Sequence, residues 1–147
     1  NICKKNKVKL IINDDPLLAL KLDADGCHLG QKDMNIKIAK KILGKKIIGI
    51  TCHNSMNLAK KAIKAKADYI AFGAFNQSKT KKTKYFASVN ILNKVKKFTK
   101  TPTVAIGGIN ASNYKILLLN NANFLAISGY IWKNKKYKPF QAIERLK

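Results

Sequence analysis

Ile47-Ile48-Gly49-Ile50 is followed by the polar end Thr51-Cys52-His53, by Ser55 opening an amphipathic stretch over Met56 to Ala65, and by Tyr69-Ile70-Ala71-Phe72. This is one complete strand–helix–strand unit. Its two apolar runs are nearly continuous, as in strands buried on both faces of a parallel sheet, and not alternating as in a strand with one wet face. Ser55 is of the residue type that accepts hydrogen bonds from the free N–H groups of a first helical turn.

The same alternation continues in both directions. Further strands are predicted over Val8 to Ile12, Gly26 to Leu29, Thr103 to Ile106 and Phe124 to Ile127. Asp15-Pro16 is an N-cap followed by a proline at the first helical position, and opens a helix over Leu17 to Ala24. Gly44 ends a helix over Ile36 to Leu43, and Ser88 is positioned to cap one whose Val89, Leu92, Val95 and Phe98 form an apolar face. Six βα units in succession leave two candidates, an open doubly wound sheet and a closed (β/α)8 barrel. Nearly every strand ends in polar or glycine chemistry, from Asn13-Asp14-Asp15 to Ser128-Gly129, which favours the barrel, whose strands all deliver residues to one rim. A complete barrel takes roughly 200 residues or more. The 147 residues are therefore expected to form a single domain, 1–147, that is an N-terminally incomplete (β/α)8 TIM barrel with the first two strands lying before Val8. Such a piece is expected to be poorly stable and inactive alone, because two sheet edges stand open.

Composition narrows the function. The chain is 46% hydrophobic, yet its longest apolar runs, such as Ile47–Ile50 and Ile116 to Leu119, fall far short of a membrane helix. It opens on Asn1 without the apolar core of a secretory signal, and reads as the interior of a longer chain. Its 3 cysteines are widely spaced and form no CxxC pair, which points to a reducing, cytoplasmic setting. The net charge of +23 raises the question of nucleic acid. Arg145 is the sole arginine, and lysine is spread over helix faces without aromatic interleaving, so neither a nucleic-acid nor a membrane partner is expected.

The strand ends carry the chemistry. Gly107-Gly108 permits close approach of the backbone to an anion, and a helix starting over Asn110 to Ser112 would point its N–H groups at the same place. With Ser128-Gly129 this matches the phosphate site that barrels form after their last two strands; the plain alternative is a tight turn and a helix cap. Asp14 and Asp33 follow consecutive strands and suit Mg²⁺, which takes one or two carboxylates plus substrate phosphate oxygens; the alternative is that Asp14 caps a helix, the role expected of Asp15, and that Asp33 only starts a loop. Ser78-Lys79-Thr80-Lys81-Lys82 offers hydroxyls and ammonium groups to a diphosphate, although a lysine-rich chain would place lysines there by chance. His28, mid-strand, is expected to be packed or hydrogen-bonded, whereas His53, at a strand end, is either an acid–base group or a loop-orienting one.

Taken in order, Ile11-Ile12-Asn13-Asp14-Asp15, Ala24 to Asp33, Gly49-Ile50-Thr51-Cys52-His53, Ser78-Lys79-Thr80-Lys81 and Val104-Ala105-Ile106-Gly107-Gly108-Ile109 resemble the thiamine-phosphate synthase family. The resemblance runs from about Val8 to Trp132. It implies a (β/α)8 enzyme of thiamine biosynthesis, a cytoplasmic transferase that couples hydroxymethylpyrimidine diphosphate to a thiazole phosphate and releases pyrophosphate with Mg²⁺. The implied chemistry is dissociative and depends on charge neutralisation and positioning. The resemblance assigns Asp14 and Asp33 to Mg²⁺, and Asn13 and Thr51 to the pyrimidine diphosphate, with Thr51 standing where the family usually has serine. Lys81 would contact the departing diphosphate and, with Thr51, count as catalytic. Ser78 and Thr80 would contact the thiazole phosphate substrate, and Gly108, Ile127 and Ser128 would hold its phosphate. The proline of the family's Pro-Thr-x-Thr-Lys loop is absent from Gln77-Ser78-Lys79-Thr80-Lys81, and the family's diphosphate-gripping segment at the second strand lies before this sequence. Two other readings are a thiazole tautomerase-like isomerase using a histidine near His53, and a non-catalytic phosphate-binding barrel. The oligomeric state is left open.

Overall fold

The computed structural model describes residues 2–77 and 83–147. Along the chain run α1 (Ile2–Lys5), β1 (Ile11–Asn13), α2 (Pro16–Lys21), β2 (Gly26–Leu29), α3 (Ile36–Leu43), β3 (Ile47–Thr51) and α4 (Met56–Lys64). They are followed by β4 (Tyr69–Gly73), α5 (Asn90–Lys96), β5 (Thr103–Ile106), α6 (Tyr114–Leu119), β6 (Phe124–Ala126), α7 (Gly129–Trp132) and α8 (Pro139–Glu144).

The strands form one parallel sheet in the order β1-β2-β3-β4-β5-β6. This order separates the two candidate architectures. A doubly wound sheet reverses direction at a switch point, whereas here every strand joins the same side of its predecessor, which is the winding of an α/β barrel. The six strands are a curled part of such a barrel, with β1 and β6 at its two edges.

Alternation along each strand separates two faces. Cys27 and Leu29, Ile48 and Ile50, and Ile70 and Phe72 pack with Ala19, Ala39, Leu43, Ala59, Ala62, Leu92 and Val95 of the helices into one core. The intervening residues occupy the opposite face, where register aligns Asn13 with His28, His28 with Gly49, and Gly49 with Tyr69. Central β3 and β4 are buried through most of their length, while β1 and β6 are not, so the expectation of continuous burial holds only away from the edges.

At the N-terminal ends of the strands a clasp recurs three times. The Asp25 amide donates to the Leu10 carbonyl, and Asp25 Oδ2 accepts from the Leu10 amide, both at 2.9 Å. Asp68 closes the same two-point ring on Ile48 at 2.9 and 2.8 Å, and Asn123 closes it on Thr103 at 3.0 Å in both directions. Each clasp ties the residue before an even-numbered strand to the start of the strand before it.

The helix starts partly differ from expectation. Asp15 caps α2 by accepting from the Leu18 amide at 3.0 Å, and Ser55 caps α4 by accepting from Leu58 at 3.2 Å. Ser88 caps nothing with its side chain; its amide donates to Asn54 Oδ1 at 3.2 Å, and α5 begins at Asn90. Leu92 and Val95 are buried on α5 beside Ile91, whereas Phe98 falls past the helix end and is exposed. α2 stops at Lys21 instead of Ala24, and β1 begins at Ile11 instead of Val8, because Leu10 is engaged by Asp25 and Val8 is exposed.

Candidate active site

The C-terminal ends of β1, β2 and β3 converge on one rim. Asn13 is the last residue of β1, and Asp14 follows in the left-handed region at φ 68°, its amide donating to the His28 carbonyl at 2.8 Å. The two aspartates differ: Asp15 caps the following helix, while the Asp14 backbone stays paired to the end of β2. After β2, the Gly30 amide donates to Asp33 Oδ2 at 2.6 Å. A Cβ at Gly30 would lie 3.0 Å from that oxygen, so the glycine leaves room for the carboxylate to fold back over the strand end.

Thr51 ends β3. Its Oγ1 lies 2.8 Å from His28 Nε2, and its carbonyl accepts from the Gln31 side-chain amide. His28 Nδ1 lies 2.9 Å from the Tyr69 hydroxyl, and the two rings stack at 5.5 Å. Burial lowers the His28 pKa below its ordinary value, partly opposed by the Asp33 charge, and burial raises the Tyr69 phenol to about 12. His28 is thus hydrogen-bonded within the barrel, as expected of a mid-strand histidine. The involvement of Tyr69 was not foreseen. The readable signal was Gly49, a residue without a side chain between His28 and Tyr69 in register.

Past β4, residues 74–77 dock on the glycine pair. The Phe75 amide donates to the Ile106 carbonyl and the Asn76 amide to that of Gly107, both at 3.1 Å. Gly107 and Gly108 have φ of 104° and 60°, and a Cβ on either would come within 2.3 Å of Ala74 Cβ or the Gln77 carbonyl oxygen, respectively. The close approach that requires these glycines is therefore made first by the chain's own loop stem. On the return, Tyr85 and Ala87 exchange backbone bonds with Ala74 at 3.0 and 2.8 Å, and the Tyr85 ring stacks on His53 at 4.0 Å. His53 thus packs against the returning loop stem. Ser78, Thr80 and Lys81 lie outside the described residues.

The helix expected at Asn110 to Ser112 begins instead at Tyr114. A single turn leads into it: the Tyr114 amide donates to the Asn110 carbonyl at 3.1 Å, Asn110 Oδ1 accepts from the Ser112 amide at 2.8 Å, and the Asn110 and Asn113 side chains donate to the Gly108 carbonyl at 3.4 and 3.0 Å. Ile127 and Ser128 directly follow β6, and Ser128 makes no capping bond to the four-residue α7.

The buried Cys27 thiol is pushed up to about 11, mainly by burial and then by the charges of Asp14, Asp15 and Asp33. Among the described residues no group of three or more His, Cys, Asp or Glu side chains gathers as a metal site, unlike the closed ligand sets of structural zinc. Two hard carboxylates at one rim fit Mg²⁺, which completes its shell with water and phosphate oxygens. Among the described residues no helix is long and apolar enough to cross a membrane.

The Thiamine monophosphate synthase family model matches residues 1–131. The chain is 70% identical over 146 residues to the thiamine-phosphate synthase of Pelagibacter ubique (strain HTCC1062), covering 99% of this chain and 70% of that protein. It is 44% identical over 128 residues to the thiamine-phosphate synthase of Nitrosomonas eutropha, covering 86% of this chain and 60% of the relative. The solved thiamine phosphate pyrophosphorylase from Pyrococcus furiosus superposes with a TM-score of 0.88 at 30% identity, over 99% of this chain and 68% of that one. The chain thus spans between 60% and 70% of the length of these proteins. With its sequential parallel winding and polar strand ends, this chain belongs to the thiamine monophosphate synthase family.

Proposed function

We propose that the rim formed by β1, β2 and β3 binds the diphosphate substrate of a thiamine phosphate synthase and transfers its pyrimidinylmethyl group to a thiazole phosphate with release of pyrophosphate. The observation that carries this reading is the placement of Asn13, Asp14, Asp33 and Thr51 at the ends of three adjacent strands. Asp14 and Asp33 would hold Mg²⁺, which supplies charge neutralisation for the diphosphate. The Gly30 amide fixes Asp33 Oδ2 and so orients that carboxylate before any ligand arrives. Thr51 offers a hydroxyl to the pyrimidine diphosphate beside Asn13. Gly108, Ile127 and Ser128 are assigned to the thiazole phosphate group, Ser78 and Thr80 to the thiazole substrate and Lys81 to the departing diphosphate. Positioning and electrostatics suffice for such a reaction, which needs no strong base.

The test uses the chain itself and, in parallel, the chain grafted into the Pelagibacter ubique relative in place of the matched region. Both are incubated with hydroxymethylpyrimidine diphosphate, thiazole phosphate and Mg²⁺. Thiamine phosphate should form with the graft and fall at least about 100-fold in Asp14→Ala or Asp33→Ala, as expected when a charge-stabilising group is lost. No product from the graft rejects the proposal. Thiamine phosphate formed equally in both variants and without Mg²⁺ rejects the assignment of the carboxylate pair to the metal, and isomerisation of the thiazole phosphate in place of coupling favours the tautomerase-like reading.

A further inference from the structure

We propose that Tyr69 and His28 are positioning residues that orient the Thr51 hydroxyl as a hydrogen-bond donor toward an anionic oxygen of the substrate. This rests on the reading of Thr51 as a diphosphate contact and adds what makes it one. The residues form a chain across three strands, Tyr69 hydroxyl to His28 Nδ1 at 2.9 Å and His28 Nε2 to Thr51 Oγ1 at 2.8 Å. Gly49 makes the chain possible, because the Tyr69 ring lies across the position its side chain would occupy, with Cζ only 1.9 Å from an ideal Cβ. The Gln31 amide bond to the Thr51 carbonyl fixes the backbone beneath the hydroxyl.

Donor arithmetic sets the direction. A phosphate oxygen is an acceptor only, so Thr51 must donate its single hydroxyl proton to it. Thr51 Oγ1 then has only lone pairs for His28, which makes Nε2 the donor. A neutral imidazole has one donor and one acceptor, so Nδ1 accepts and the Tyr69 O–H donates to it. The phenol is protonated at neutral pH, consistent with its burial. Removing only the Tyr69 hydroxyl leaves Nδ1 without a donor. The imidazole can then carry its proton on Nδ1 and accept from Thr51 through Nε2, withdrawing the proton meant for the substrate.

The experiment has two arms. In the kinetic arm, on the graft described above, Tyr69→Phe should lower kcat/KM for the pyrimidine diphosphate by roughly 10-fold or more, the scale of one hydrogen bond to a charged group. KM for the thiazole phosphate should be unchanged. Thr51→Val should match it, the double variant should lose nothing further, and Thr51→Ser, which keeps the hydroxyl, should recover most of what Thr51→Val loses. In the spectroscopic arm, ¹⁵N-histidine NMR of the graft with inorganic pyrophosphate and Mg²⁺ reads the tautomer directly, the His28 signals being assigned by their loss in His28→Gln. His28 should be protonated on Nε2, and on Nδ1 in Tyr69→Phe. An active graft in which Tyr69→Phe behaves as wild type overturns the inference. So does an Nδ1-protonated His28 in the wild-type graft, whether or not any variant folds. An inactive wild-type graft counts against the proposed function instead, and the tautomer then decides the relay alone.

Discussion

Gly49→Ala tests the packing that links the sheet to the rim. An ideal Cβ at this position lies 1.9 Å from Tyr69 Cζ and 2.3 and 2.4 Å from the adjoining ring carbons. Carbon atoms settle at about 3.5–4.0 Å, so the ring must retreat by roughly 1.6 Å or more. A retreat of that size breaks the 2.9 Å bond to His28. Two costs follow: about 1–3 kcal/mol for overpacking and about 1–3 kcal/mol for an imidazole nitrogen left without its partner. Replacing a strand glycine acts the other way and returns about 0.5–1 kcal/mol of backbone entropy. The net expectation is a loss of about 1–5 kcal/mol, against a propensity argument that predicts a gain. Urea unfolding followed by circular dichroism measures it. In a Tyr69→Ala background the three nearest atoms are gone, and the same substitution should cost less than about 0.5 kcal/mol. An equal loss with and without the ring, or a loss under about 0.5 kcal/mol in the wild-type background, refutes the reasoning.

Asp68→Ala opens the clasp on Ile48 and should cost about 1–2 kcal/mol in the same unfolding assay, while Asp68→Asn should be nearly neutral because Asn123 makes the equivalent clasp with an amide. Leu92→Ala removes a fully buried side chain on α5 and should cost about 2–5 kcal/mol, read from the urea midpoint. Asp15→Ala removes the cap on α2 and should cost about 1 kcal/mol, with no recovery on adding Mg²⁺ if Asp15 is only a cap. Burial holds the folded-state pKa of His28 below 6.5, so the unfolded chain takes up its proton first on acidification. Its contribution is therefore complete above pH 6.5 and is lost as pH falls toward the folded-state pKa; urea midpoints should decline over that window, and less steeply in His28→Gln.

The alternation of strands and helices was legible because a parallel sheet under helices forces continuous apolar runs, and β2 and β5 have the bounds expected from Gly26 to Leu29 and Thr103 to Ile106. Edges were less legible: Val8 and Lys9 read as strand, yet the ladder starts only where Ile11 meets Gly26. Serines near helix starts were ambiguous for a physical reason. Ser55 has an unpaired amide within reach and caps, whereas Ser88 and Ser128 make no such bond. At the rim, the positions of Asn13, Asp14, Asp33 and Thr51 followed from counting strand ends. The Tyr69–His28–Thr51 chain did not, because it joins residues 41 and 23 positions apart whose meeting depends on register across three strands. The glycine pair was legible as a close approach, but the approaching group is the loop stem at Ala74 and Gln77.

The three clasps at the opposite end of the sheet span 15, 20 and 20 residues. Each fastens one strand to the next before any contact with the rest of the wall is needed, so the chain divides into three self-aligning pairs. A one-residue slip between partners would turn inward-facing groups outward, and the clasp forbids it. Because alignment is settled at the floor, the ligand-facing loops are relieved of that duty, and substitutions among them can alter chemistry without letting the staves slide.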